Sequence, residues 1–123
     1  MNDRDILKWA LTIKSLSRLR AHLERLRERA AGSDIDDIET LQCATDRIYE
    51  FAKANSNEQS LVNMPSETCE RLVAAANELS DLAYECFRAL VLTREPLVDV
   101  MSEWYAKDNF GRSDCARLEA LMA

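Results

Sequence analysis

Residues 66–92 read SETCERLVAAANELSDLAYECFRALVL. Cys69, Leu72, Ala76, Leu79, Ala83, Cys86 and Leu90 recur at alternating steps of three and four, the a/d spacing of a helix seam. Val73, Phe87 and Val91 widen that seam into a face broad enough for a bundle core. Pro65 disfavours helix on its N-terminal side and Ser66 is a good N-cap residue, so the helix is expected to begin there. On the far side, at about 100° per residue, stand Glu67, Glu70, Glu78, Asp81 and Glu85. The helix thus has an apolar stripe, with small alanines that let a neighbour approach closely, and an acidic ridge on its back.

The same period runs through the preceding chain. Residues 3–31 read as a long first helix with Trp9, Ile13, Leu16, Leu19, Leu23, Leu26 and Ala30 on one stripe. Lys14, Arg18, Arg25 and Arg29 form a ridge about 22 Å long on its other side, with His22 beside them. Gly32 stands where a C′ residue belongs, and Ser33 with Asp34, Asp36 and Asp37 opens a second helix. Ser33-x-x-Asp36 resembles a capping box with Asp in place of Glu. Ile35, Ile38, Leu41, Ile48, Phe51 and Ala52 give this helix its apolar face, and it should stop near Asn55.

Residues 55–65 read as the longest connection, with Leu61, Val62 and Met64 packing over a bundle end. After the helix of residues 66–92, Thr93-Arg94-Glu95-Pro96 ends or kinks it. A fourth helix runs from Pro96 to about Lys107 with Leu97, Val100, Met101 and Trp104 on its face. A turn at 108–112 and a short last helix capped by Ser113, with Cys115, Leu118, Leu121 and Met122, complete the pattern. The short connection at Gly32 and Ser33 makes the first two helices antiparallel neighbours. The expected fold is all-α: one domain, residues 1–123, forming a compact antiparallel bundle of four to five helices.

Composition agrees with that fold. Two glycines and two prolines in 123 residues are too few for the many turns of a β-rich chain. The hydrophobic share of 47% is that of a globular protein, not a disordered one. No apolar run is long enough to cross a bilayer, and the charged N-terminal stretch does not read as a signal peptide. The four cysteines (Cys43, Cys69, Cys86 and Cys115) are widely spaced and contain no CxxC pair, so reduced thiols and a cytoplasmic location are expected. The net charge of −6 is segregated: residues 1–31 carry eight basic and four acidic side chains, and the remainder eight basic and eighteen acidic.

Catalytic constellations are sparse. A ferritin-like di-iron centre needs Glu-x-x-His pairs, but the residue three before the single histidine, His22, is Leu19. The sixth position of an EF-hand beginning at Asp34 is Glu39 instead of Gly. No GxSxG, Cys–base pair or phosphate-binding Gly-rich loop is present. The pairs Glu67-x-x-Glu70 and Glu78-x-x-Asp81 resemble the acidic pairs of all-helical nucleotide pyrophosphohydrolases, and that resemblance implies a Mg²⁺-dependent hydrolase. Those enzymes bring their pairs together from facing helices. Here both pairs fall on one face of one helix, with Arg71 and Arg88 placed to pair with Glu67 and Glu85. A solvated face is the simpler account, and neither metal nor cofactor is expected.

The function expected is non-enzymatic: a small acidic inhibitor or adaptor that binds another protein through charged helix faces. Glu67, Glu70, Glu78, Asp81 and Glu85 would carry the contact. One form is a phage-type inhibitor that offers carboxylates in place of phosphate to a nucleic-acid-binding defence complex. Adjacent Trp104 and Tyr105 cannot share one helix face, and whichever is exposed could anchor a partner. The basic ridge of Lys14, Arg18, Arg25 and Arg29 supports an alternative, nucleic-acid binding, which the acidic balance of the chain and the interrupting Glu24 and Glu28 oppose. The complementary ridges would also allow a homodimer.

Overall fold

A computed structural model describes residues 1–106, which form an all-α bundle without a strand among the described residues. The expected turn at 108–112 and the helix from Ser113, with Cys115, lie outside the described residues. Helix α1 (Asp3–Arg29) starts at Asn2, whose side chain accepts a hydrogen bond from the Asp5 amide at 2.9 Å. Trp9, Leu16, Leu19, Leu23 and Leu26 are buried as the stripe predicts, with Thr12 added, while Ile13 and Ala30 pack from the edge.

Gly32 takes φ +59° and ψ −134°, outside the ranges open to residues with a Cβ. It is the N-cap of α2 (Ser33–Ala54), not the C′ of α1, whose cap is Ala30. The expected Ser33 cap is also displaced: Ser33 is the first helical residue, and no side chain caps this end. Helices α1 and α2 are antiparallel, as the Arg20–Asp46 pair at 2.7 Å and the Arg27–Glu39 pair at 2.9 Å require. At the opposite end the Trp9 indole donates to the Ala52 carbonyl at 3.1 Å.

The connection expected at residues 55–65 contains a short helix, α3 (Glu58–Asn63), capped by the Asn57 side chain. Leu61 and Met64 are buried at the bundle end, but Val62 points outward at 57% exposure. The Met1 nitrogen donates to the carbonyls of Leu61, Val62 and Met64, tying the first turn of the bundle to the end of α3. Helix α3 carries the chain from the end of α2 to the start of α4 (Ser66–Arg88), so α4 runs parallel to α1 and antiparallel to α2.

The α4 seam is buried at Cys69, Leu72, Ala76, Leu79, Ala83 and Cys86, as its spacing predicts. The Ser66 cap is not made. Its hydroxyl donates to Asp5 Oδ2 at 2.9 Å, and Pro65 takes the cap position. From Ala89 to Thr93 the helix widens into a π turn, which closes at Arg94 in the left-handed region with φ 58°. Helix α5 (Leu97–Ala106) then packs across α2 and α4, burying Leu97, Met101 and Trp104. The core is continuous from Trp9 to Trp104. Each fully buried Leu or Ile contributes roughly 1.5–3 kcal/mol relative to exposure, so these apolar faces, more than the surface charges, hold the bundle together. No helix among the described residues is long and apolar enough to cross a membrane.

Candidate functional site

Two faces of α4 concentrate the features singled out in the sequence. On the side toward α5, Glu78, Asp81 and Glu85 meet Glu103 of α5 around a cleft of about 220 Å³. Its apolar wall is made by Leu82, Val100 and Trp104. Trp104 is only 4% exposed, and its indole nitrogen has no hydrogen-bond partner among the described residues. The acidic ridge therefore does not stand alone in solvent: its middle is one wall of a cleft that a second helix completes.

The outer members of the ridge are partly neutralised. Glu67 pairs with Arg71 at 3.3 Å and Glu85 with Arg88 at 3.4 Å, both within α4, as their spacing predicts. Such exposed pairs contribute about 0–1 kcal/mol and exchange readily with outside partners. Glu70 lies on the opposite edge of the helix, toward α1. Although Glu103 brings a carboxylate from a second helix to Glu78 and Asp81, no group of three or more His, Cys, Asp or Glu side chains among the described residues is placed to hold a metal ion.

Tyr105 is half-buried, and its hydroxyl donates to Asp37 Oδ1 at 2.6 Å. Burial, together with that hydrogen bond, pushes the phenol up to about 12. The backbone N–H of Leu97, at the other end of α5, donates to Asp34 Oδ1 at 3.1 Å. Two aspartates of the first α2 turn thus fasten α5 at both ends. They read in the sequence as dipole partners of their own helix. Pro96, unable to supply a side-chain acceptor, is the one local sign that α5 needs a cap from elsewhere. Trp104 and Tyr105 are accordingly structural first, and only the cleft-lining part of Trp104 is offered to a partner.

The second face is the groove between α1 and α4. Lys14, Arg18, Arg25 and Arg29 are exposed along its α1 side, and none makes an ion pair with a described residue. The α1 cations that are paired, Arg20 and Arg27, face α2 instead. Arg20 also lies 4.3 Å from the centre of the Tyr49 ring. His22 is not a solvent-facing member of the ridge: it is half-buried in the groove, its ring 6.2 Å from that of Phe87. Desolvation, with Arg25 nearby, pulls its pKa below the ordinary value.

Among the described cysteines, Cys43 is exposed and Cys69 and Cys86 are buried. Cys43, Cys69 and Cys86 are free thiols, and the buried Cys86 is pushed up to about 12 by desolvation and by Asp37 and Asp34. Compared with known proteins, the chain matches no family model, no curated protein and no solved structure.

Proposed function

We propose that this protein works by binding another protein, using the acidic cleft between α4 and α5 to receive a basic side chain of its partner. The observation that carries this reading is the convergence of Glu78, Asp81, Glu85 and Glu103 on an apolar wall containing Trp104. A guanidinium or ammonium group fits such a place twice over: carboxylates neutralise it, and an aromatic face favours a cation. Glu67 extends the negative surface along α4 and suits a partner with more than one basic residue. A nucleic-acid-binding protein has such a surface, which makes a small acidic inhibitor or adaptor the form of activity we favour.

The test is capture of partners from a lysate of the native source at low and high salt, read by mass spectrometry, with Glu78→Lys/Glu103→Lys as the control. A stoichiometric protein partner, lost with the double variant and at high salt, supports the reading. Binding that survives the double variant removes the cleft from the account. Nucleic acid captured through Lys14, Arg18, Arg25 and Arg29, and abolished by nuclease, would replace it with the alternative that the unpaired basic ridge favours.

A further inference from the structure

Among the described residues, no element packs over the groove between α1 and α4, an apolar face with oppositely charged rims. Its floor and walls include Leu11, Leu19, Val73 and Phe87, in two depressions of about 450 Å³ each. Leu7, Leu11 and Tyr84 are 60%, 55% and 58% exposed. The α1 rim is positive, with Lys8, Lys14, Arg18 and Arg25. The α4 rim is negative at Glu70.

We infer that this groove is the self-association surface of the protein, occupied by the same groove of a second copy. The argument is one of symmetry. A two-fold axis running along the groove, parallel to the helices, turns one copy to face the other and lays the α1 of each on the α4 of the other. Positive rim then meets negative rim twice. An axis across the groove would lay α1 on α1 and α4 on α4, like charge on like, and is disfavoured.

The register supports the first arrangement. Helices α1 and α4 are parallel, with Asp5 beside Ser66 and His22 beside Phe87. Lys8 lines the same depression as Glu70, and Arg18 the same depression as Ser80 and Tyr84. An axis along the groove preserves these levels, so Lys8 faces Glu70 and Arg18 faces Ser80 and Tyr84 of the second copy. Leu7 and Leu11 come over Val73 and Ala74, and a four-helix arrangement closes over both apolar faces.

A foreign acidic helix would satisfy the α1 rim but meet Glu70 as a like charge. Only an occupant polarised in the same way satisfies both rims, and a second copy is such an occupant. Two parallel helices of this length present a face roughly 35 Å by 20 Å, close to the ~800 Å² per partner of a standard interface. The α5-side cleft lies on the other edge of α4, and the two surfaces are tested separately.

The experiment is sedimentation equilibrium of the full chain at about 50 mM and about 500 mM salt. A reversible dimer weakened by salt is expected. Lys8→Glu and Glu70→Lys should each weaken it about tenfold or more, because each reverses two symmetry-related contacts. The double variant K8E/E70K restores the pairing with signs exchanged, and its dimer should return to within about threefold of the original. Both positions are exposed, and unchanged thermal melting of the variants separates loss of association from loss of fold. A chain that stays monomeric up to about 1 mM, a dimer indifferent to K8E, or a double variant no better than either single one overturns the proposal. So does a monomer that captures an acidic helical peptide in the groove.

Discussion

Thr68 is fully buried at the start of α4, and its hydroxyl has no hydrogen-bond partner among the described residues. A hydroxyl removed from water without an acceptor destabilises the fold, so Thr68→Val, which keeps the shape, should raise stability by about 1 kcal/mol in urea denaturation. Tyr105 is the opposite case, a phenol held by a buried carboxylate. Tyr105→Phe leaves Asp37 without that donor and should lower stability by about 1–3 kcal/mol. The pH dependence follows from the direction of the shift. The hydroxyl titrates at about 12 in the folded chain against 10.0 in its ordinary state, so the fold retains this proton longer than the unfolded chain does. Its contribution is complete below pH 10 and is lost as pH rises from 10 to 12. Cys86 loses its own contribution between 9 and 12, so the informative quantity is the difference between wild type and Tyr105→Phe across the alkaline limb. Equal slopes would contradict the Asp37 contact.

At the scale of elements, α5 depends on α2 more than on its own sequence. Asp34→Ala removes the acceptor for the Leu97 amide and should cost about 1 kcal/mol, as other lost helix caps do. Hydrogen exchange should accelerate in the first turn of α5 and leave the middle of α1 unchanged. Uniform acceleration would mean that Asp34 supports the whole bundle. The long helices were legible in the sequence because their information is local: Cys69, Leu72, Ala76, Leu79, Ala83 and Cys86 are buried in the order their spacing predicts. The features that were not legible depend on partners far along the chain. Ser66 reads as a cap from its neighbours, yet its hydroxyl is used by Asp5, 61 residues away. Leu90 continues the heptad on paper but is only half-buried, because the π turn takes over at Ala89. The acidic ridge was legible as a ridge. The cleft was not, since Glu103 reaches it only once α5 has folded back over α4.

For the whole molecule, the segregation of charge matters more than its sum. The inter-helix ion pairs, Arg20–Asp46 and Arg27–Glu39, are exposed and contribute little to stability. Melting temperature should therefore move by only a few degrees between about 50 mM and about 500 mM salt, while any binding through the ridges weakens steeply. A melting point that collapses with salt would place the ridges inside the fold's own energetics. The π turn has a consequence of another kind. By inserting one residue into a helical turn, it sets the phase of everything that follows. Loss of a single residue between Ala89 and Thr93 would let the ordinary hydrogen-bond ladder re-form, so the helix itself would be mended. The segment beyond would be wound back by about 100° and drawn in by about 1.5 Å, carrying Leu97 away from Asp34. A deletion that improves the local backbone would thus undo the molecule's last joint: at this turn the chain is sensitive to the number of its residues more than to their kind.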